Sequence, residues 1–211
     1  MRGRPMLGYL LEGLMHCQCI DGVVLATSAD RSDDAVAAFA QASGVRCHRG
    51  QLEDVASRLL DAADAVRADA LIRLNGDSPL LDPALVDRGV DLFRSEPADL
   101  VSNVVQRTFP KGQSVEVLSR DALARAVAAM TTAYEREHVT PHFYSNAADY
   151  VIRSFSAARP RPDVQLSVDD EDDFVRCEAI LESLGRPPWE AGWEACVQAA
   201  DALDVMKVRP L

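Results

Sequence analysis

The sequence lacks the long apolar runs and the common nucleophile motifs that identify many classes of protein. It contains no stretch of about 18 apolar residues, which excludes a transmembrane helix, and its N-terminus lacks the cleavage site of a signal peptide. We therefore expect a cytoplasmic protein. Neither a G-x-S-x-G elbow nor a G-x-x-x-x-G-K-[ST] loop occurs, which argues against a serine hydrolase and a P-loop NTPase.

Cysteine and histidine are too few and too scattered for a metal or disulfide framework. The five cysteines form no C-x-x-C pair, and the four histidines show no H-x-x-H or H-E-x-x-H spacing. We expect neither structural zinc nor structural disulfides. Cys17 and Cys19 fall at the end of an apolar helical pattern, where small buried thiols are expected.

Basic residues are outnumbered, with 22 Lys and Arg against 33 Asp and Glu, giving a formal net charge of −11. Such a chain repels nucleic acid, and it has no basic stripe with interleaved aromatic residues. We therefore expect no nucleic-acid partner and no membrane partner. An acidic protein that binds an anionic nucleotide must do so by local means, such as a metal ion or a helix N-terminus.

Strand and helix patterns alternate along the chain. The predicted strands are continuous apolar runs at 23–27, 45–48, 70–74, 100–101, 115–118, 150–155 and 164–168. The predicted helices are 4–15, 33–42 with Ser32 as its cap, 52–66, 83–94, 121–130, 134–145, 172–184 and 189–205. Because the strands show no period-two alternation, we predict an α/β fold with a mainly parallel sheet and helices on both faces.

Asp77 is the most informative candidate for a functional residue. It follows the strand 70–74 in the run Asn75-Gly76-Asp77-Ser78-Pro79, which presents a carboxylate at the carboxyl edge of the sheet, where ligands bind in open α/β sheets. Pro79 and Pro83 stiffen the loop. The alternative is that Asp77 only caps a turn.

A run of carboxylates from Asp169 to Asp173 follows the predicted strand 164–168. Asp169 stands at the strand end, so it and Asp77 are candidates to chelate Mg²⁺ beside a triphosphate. The alternative is an acidic helix N-terminus that complements the macrodipole, a role that we assign to residues 170–173.

The segment 134–142 places charged groups and a histidine on one predicted helix, with Glu135 and His138 one turn apart. Two interpretations remain open for this helix. It presents polar groups to a substrate, or it is a solvated face with one satisfied histidine.

Several blocks in fixed order resemble the cytidylyltransferase family, and most closely its spore-coat polysaccharide biosynthesis branch. The blocks are G-R-P-M-L-x-Y-L-L-E, V-V-L-A-T-S, H-R-G-Q-L-E-D-V, R-L-N-G-D-S-P-L-L-D-P, S-N-V, F-P-K-G-x-x-V-E-V, Y-E-R-E-H-V-T-P and V-D-x-x-x-D-F. They cover nearly the whole chain to about Leu184. Blocks in matching order are more specific than any single motif.

The resemblance implies a Rossmann-like, nucleotide-diphospho-sugar transferase fold that lacks its first strand. It implies one cytidylyltransferase-like domain, 1–211, with a core 1–184 and a C-terminal helical extension 185–211. The implied reaction joins CTP to an acidic or other polysaccharide-precursor sugar, giving a CMP-sugar and pyrophosphate. Family members commonly pair as homodimers.

The resemblance also implies roles for individual residues. Asp77 matches the aspartate of the family's G-D-x-P motif and Asp169 the first aspartate of its D-T-P-E-D-F motif, so both are implied to be catalytic and to bind Mg²⁺. The implied substrate-binding residues are Asn75, Gly76, Ser78, Glu116, Glu137 and His138, the last three being close to the sugar pocket.

The sequence departs from the family pattern in three places. The first strand and a cationic loop of the form A-R-x-x-S-x-R-L-P-x-K are absent, and we expect an open place in the sheet as a result. Ser114 stands where an aspartate is expected, and Asp170-Glu171 replaces a T-P pair. Two hypotheses follow: an active enzyme whose N-terminal part is not in this sequence, or a degenerate homologue that binds a sugar or a partner protein. A related pyrophosphorylase that uses UTP or GTP is a third.

Overall fold

The computed structural model describes residues 1–208, with side chains described up to residue 205. The strands are β1 Val24–Ser28, β2 Arg46–Gly50, β3 Ala70–Arg73, β4 Leu100–Ser102, β5 Glu116–Ser119 and β6 Ile152–Ser154. The helices are α1 Met6–Leu14, α2 Asp34–Ala42, α3 Val55–Val66, α4 Pro83–Ser95, α5 Arg120–Ala129, α6 Ala133–His138, α7 Pro141–Ser145, α8 Glu171–Leu184, α9 Pro188–Ala191 and α10 Trp193–Val208. A 3-10 turn, Arg31–Asp33, precedes α2.

The described strands form two sheets instead of one. β1 and β2 pair in parallel, and the larger sheet has the order β3-β5-β4-β6. In the larger sheet β5 runs antiparallel to β3 and to β4, whereas β6 is parallel to β4. Three of its four strands therefore share one direction, which confirms a mainly parallel α/β fold. Each of β1 and β3 has a strand partner on one side only within residues 1–208.

Apolar clusters cover both faces of the larger sheet. Along β4 and β5, Val101 and Val117 belong to one cluster, whereas Leu100 and Leu118 belong to the other. The first cluster includes side chains of α1, α4, α8 and α10, and the second includes side chains of α3, α5 and α7. Helices on both faces, as predicted, are confirmed. Because β5 is buried on both faces, its sequence does not alternate between apolar and polar residues.

The last helix is held at its start by the same carboxylate that caps α4. Asp82 Oδ1 accepts a hydrogen bond from the Ala84 N–H at 2.9 Å, and Asp82 Oδ2 accepts one from the Trp193 N–H at 3.0 Å. Trp193, Cys196 and Val197 then join the apolar cluster that contains α4. The division into a core 1–184 and an extension 185–211 stays a prediction, and residues 209–211 lie outside the described part.

Two predicted helices are each divided in the structure. The predicted helix 134–145 breaks at Val139, which has φ 67°, because Pro141 has no N–H to continue the hydrogen-bond ladder. The predicted helix 189–205 becomes α9 and α10, with Gly192 at φ 81° between them. Glycine adopts this left-handed conformation without steric cost.

The predicted strand 164–168 and the predicted cap Ser32 are both wrong. Residues 164–168 contain a single bridge, from Gln165 to Lys111, because Gly112 turns the partner segment away at φ 87°. The Gln113 N–H, which would continue the ladder, bonds the Pro110 carbonyl instead. Ser32 lies inside the 3-10 turn and donates its N–H to Asp30 Oδ1. Other element boundaries differ from the predicted ones by a few residues.

The cysteines are free thiols, and Cys17 and Cys19 are half-buried beyond the end of α1 instead of fully buried on it. Burial raises the pKa of Cys17 to about 12, so its thiol stays protonated. Among residues 1–208, no helix is both long and apolar enough to cross a membrane.

Candidate active site at the carboxyl edge of the larger sheet

Asp77 lies in a short turn directly beyond the end of β3. Asn75 and Gly76 are exposed, Asp77 is half-buried, and Ser78 is buried. The Ser78 hydroxyl donates to Asp77 Oδ1 at 2.8 Å, and within residues 1–208 the carboxylate accepts no backbone N–H. A turn-capping aspartate requires such a bond, so the geometry favours a carboxylate that is available to a ligand.

Asp169 is exposed and stands immediately before the acidic N-terminus of α8. The Gln165 side chain donates to Asp169 Oδ2 at 2.9 Å, and the Asp169 N–H donates to Asp173 Oδ2 at 3.0 Å. Asp170 caps α8 by accepting the Asp173 N–H at 2.9 Å. The helix-terminus role predicted for residues 170–173 is confirmed, and Asp169 remains outside it.

The fold brings the segments of Asp77 and Asp169 into direct contact although they are far apart in sequence. The Val168 N–H donates to the Asp77 carbonyl at 2.9 Å, so each aspartate lies on one of two adjoining backbone segments. Among the described residues, no group of three or more His, Cys, Asp or Glu side chains is arranged to hold a metal ion. The use of Asp77 and Asp169 as a metal-binding pair stays a prediction.

Glu116 is buried at the same edge, in a row of polar residues that crosses the strands. The register places Arg73 and Ser102 directly opposite Glu116 on the two neighbouring strands. Arg73 Nη1 is 2.7 Å from Glu116 Oε2, and the Tyr144 hydroxyl donates to Glu116 Oε1 at 2.7 Å. Because both carboxylate oxygens are already engaged, a sugar that binds Glu116 must join or displace these partners.

Tyr144 links this row to a cavity on the surface. Its hydroxyl also lies 2.8 Å from the Ser102 hydroxyl. Burial and the nearby Glu116 carboxylate raise the pKa of Tyr144, so the phenol stays protonated and donates to Glu116. The ring lines a cavity of about 380 Å³ together with Val104, Val105, Ala147, Ile152 and Ser154. Sequence reasoning missed Tyr144 and Arg73, since each is one polar residue within an otherwise ordinary element.

Glu137 and His138 lie on α6, which packs against α3. Both side chains are exposed, and the His138 ring contacts the Tyr134 ring with centroids 4.5 Å apart. The structure shows no hydrogen bond or ion pair between either residue and the segments of Asp77 or Asp169 within residues 1–208. Their role near a sugar stays a prediction.

Gln113 is a further residue that sequence reasoning missed. It is fully buried, and its side-chain amide accepts the Asp82 N–H at 2.9 Å and donates to the Leu80 carbonyl at 2.7 Å. Those two backbone groups belong to the turn that follows Asp77 in the sequence. A glutamine beside a glycine carries no signal of this contact, because its partners lie about 30 residues earlier in the sequence.

Glu135 pairs with a buried histidine, and this pair gives a testable pH dependence. Its carboxylate lies 2.7 Å from His142 Nδ1 and also accepts hydrogen bonds at the Thr132 cap of α6. The bond to His142, followed by those at Thr132, lowers the pKa of Glu135 from its ordinary 4.5 to about 2. A depressed carboxyl pKa stabilises the folded state above the unfolded pKa, and this stabilisation is lost as pH falls from about 4.5 towards 2.

Glu135→Gln is therefore expected to lower the melting temperature at neutral pH, with a difference from the wild type that shrinks between pH 4.5 and 2. Thermal unfolding followed by circular dichroism across this pH range measures it. Glu137→Gln is the matched control, because Glu137 is exposed on the same helix and unpaired within residues 1–208. A Glu135→Gln deficit that stays constant with pH contradicts the assignment.

Comparison with known proteins agrees with this architecture. The family model described as cytidylyltransferase matches residues 1–179. An uncharacterised protein of Methanocaldococcus jannaschii is 31% identical over 175 residues, covering 81% of this chain and 70% of that protein. The spore coat polysaccharide biosynthesis protein SpsF of Bacillus subtilis is 28% identical over 172 residues, covering 80% of this chain and 70% of that protein.

A solved structure gives the same result for the fold. The structure of a cytidylyltransferase from Leptospira borgpetersenii superimposes with a TM-score of 0.90 and 25% identity, covering 99% of this chain and 88% of that one. The predicted nucleotide-diphospho-sugar transferase fold is confirmed.

Proposed function

The chain belongs to the cytidylyltransferase family, and we propose that it transfers the cytidylyl group of CTP to an acidic or other polysaccharide-precursor sugar. In this reaction a sugar oxygen forms a bond to the α-phosphorus of CTP while the bond from that phosphorus to the pyrophosphate oxygen breaks. The hydroxyl proton is released, and the products are a CMP-sugar and pyrophosphate.

The observation that carries the proposal is the backbone contact between the segments of the two aspartates. The Val168 N–H bonded to the Asp77 carbonyl holds Asp77 and Asp169 on adjoining segments at the edge of the sheet where α/β proteins bind their ligands. A triphosphate bound there meets two carboxylates on a protein of net charge −11. A cation is needed to offset that repulsion.

The donor set fits Mg²⁺, which commonly binds through one or two carboxylates together with substrate phosphates and water. Asp77 and Asp169 are the residues that would hold it, because Asp77 Oδ2 accepts no hydrogen bond within residues 1–208 and Asp169 is exposed. When bound, the cation neutralises phosphate charge as a Lewis acid. Use of Mg²⁺ by this chain is part of the proposal.

The chain's own side chains orient the two carboxylates and provide a place for the sugar. The Ser78 hydroxyl fixes Asp77 Oδ1, and the Gln165 amide fixes Asp169 Oδ2. For the acceptor sugar we propose the cavity lined by Tyr144, because the Tyr144 hydroxyl bonds the predicted sugar residue Glu116. We assign contact with the nucleotide to Asn75 and Gly76, because both are exposed beside Asp77.

The test is an assay of pyrophosphate release with CTP, Mg²⁺ and a panel of acidic and neutral sugars, with CMP-sugar identified by mass spectrometry. The expected result is pyrophosphate release that requires CTP, the metal and one sugar class together. Parallel reactions with UTP, GTP and ATP determine the base preference. Pyrophosphate release with UTP or GTP but not CTP contradicts the cytidylyl assignment.

The second candidate is a degenerate homologue that binds a sugar or a partner protein without catalysis. Sugar binding by calorimetry, with no pyrophosphate release from any nucleotide, would support that candidate. The homodimer, the cytoplasmic location and the absence of a nucleic-acid partner stay predictions.

A further inference from the structure

Gln113 holds the turn that carries Asp77. Its side-chain amide donates a hydrogen bond to the Leu80 carbonyl at 2.7 Å and accepts one from the Asp82 N–H at 2.9 Å. The amide thus pairs with the backbone of the turn as a peptide group of an adjacent strand would. The side chain is fully buried, so water cannot replace either bond, and a buried polar group left without a partner is costly. The turn is therefore fixed to Gln113.

The connection from Gln113 to Asp77 is short and stiff. Only Ser78 and Pro79 separate Asp77 from Leu80, and both are buried. The Leu81 N–H bonds back to the Ser78 carbonyl at 3.3 Å, and Pro79 has a fixed φ. A displacement of Leu80 to Asp82 is therefore passed on to Asp77 with little loss.

The residue before Gln113 touches the segment that carries the second aspartate. A β-carbon added at Gly112 would lie 2.6 Å from the Leu166 carbonyl carbon and 2.6 Å from the Ser167 nitrogen. The Lys111 N–H and carbonyl also bond Val164 and Leu166, at 3.0 and 2.9 Å. Residues 111–113 thus contact both aspartate-bearing segments.

We propose that Gln113 is a positioning residue of the site, which holds the turn of Asp77 against the segment of Asp169, the two residues that would hold a divalent cation. The role of Gln113 in metal and CTP binding rests on the proposed function. The coupling of Gln113 to the Asp77–Val168 contact does not depend on that function.

The test replaces Gln113 with methionine, which has similar length and removes both hydrogen bonds. Calorimetric titration of the full chain with CTP at a series of Mg²⁺ concentrations gives the half-saturating Mg²⁺ concentration. In Gln113→Met we expect the half-saturating Mg²⁺ concentration to rise about tenfold or more, which is the effect typical of losing a residue that orients a metal ligand. Titration with Mn²⁺ alone, followed by electron paramagnetic resonance, is a second readout.

Ser119→Ala is the control. The Ser119 hydroxyl caps α5 by accepting the Ala122 N–H at 3.1 Å, and Ser119 pairs with Ala70 at the end of β3 away from Asp77. Both variants are expected to lower the melting temperature, because loss of a helix cap is destabilising, but Ser119→Ala should leave the Mg²⁺ requirement within about twofold of the wild type. An equal rise in both variants overturns the proposal.

Amide hydrogen exchange separates failure of this inference from failure of the proposed function. If the wild type binds no CTP with Mg²⁺, the proposed function fails, and the exchange rates still decide the coupling. Gln113→Met is expected to speed exchange at Asp82 and at Val168, whose N–H bonds the Asp77 carbonyl, more than Ser119→Ala does. A Val168 amide that stays protected in Gln113→Met overturns the positioning role.

Discussion

Asp77→Asn is expected to weaken Mg²⁺-dependent binding of CTP by about 100-fold or more, since even residues that only support a metal ligand contribute 10–100-fold to metal affinity. Asparagine keeps the size of the side chain and can still accept the Ser78 hydroxyl that now bonds Asp77 Oδ1. The change therefore removes charge with little disturbance of the turn. Isothermal titration with CTP, with and without Mg²⁺, measures the effect without knowledge of the sugar.

Asp169→Asn is expected to have an effect of similar size, and Asp172→Asn is the control for both. Asp172 is an exposed carboxylate in the first turn of α8, three residues after Asp169. Its replacement changes the local charge by the same amount but leaves the carboxylate pair intact. If all three variants bind CTP with Mg²⁺ equally well, the two aspartates are not the metal ligands.

Gly112→Ala is expected to lower the free energy of unfolding by about 2–5 kcal/mol, the sum of a conformational and an overpacking contribution. Part of this, about 1–2 kcal/mol, is the cost of a side chain in the left-handed conformation. A larger part comes from the new β-carbon, which would lie 2.6 Å from backbone atoms of Leu166 and Ser167. The backbone there must move to relieve this contact, and such movement is the cost of overpacking a core. Equilibrium denaturation in urea measures the loss.

Gly185→Ala separates the two contributions. Gly185 has φ 65° at the end of α8, but an added β-carbon there meets nothing within 4 Å. We expect Gly185→Ala to cost only about 1–2 kcal/mol, the conformational part. Equal losses in the two alanine variants would show that the contact between Gly112 and residues 166–167 does not limit stability.

The sequence was sufficient to predict the alternation of strands and helices and the meeting of the segments that carry Asp77 and Asp169. Asp77 was identified because an apolar run ends in a glycine and a carboxylate, a local pattern. Asp169 was placed at a strand end, and it does adjoin the Asp77 segment, although the contact is made through one backbone bond from Val168 and not through a strand. The assignment of both as metal ligands stays a prediction.

The pairing and register of the strands, and the side-chain contacts that depend on them, could not be predicted from the sequence. The direction of β5 depends on its pairing with β3 and β4, and burial on both faces removes the alternation that would have indicated an antiparallel strand. Glu116 is predicted to lie near a sugar. That it is buried and bonded to Arg73 and Tyr144 could not be predicted, because those contacts depend on the register of three strands. The break at Val139 was predictable from Pro141 alone, and the continuous helix proposed there neglected that signal.

The double use of Asp82 has a consequence for how the protein opens. One carboxylate satisfies the first turns of both α4 and α10, through the Ala84 and Trp193 amides. Detachment of α10 would remove the hydrogen bond from the Trp193 N–H to Asp82 Oδ2. The cap of α4, which begins beside the Asp77 turn, would then be less firmly held. The two ends of this contact should therefore unfold as one cooperative unit, so that the first amides of α4 and of α10 exchange their hydrogens with a common opening free energy.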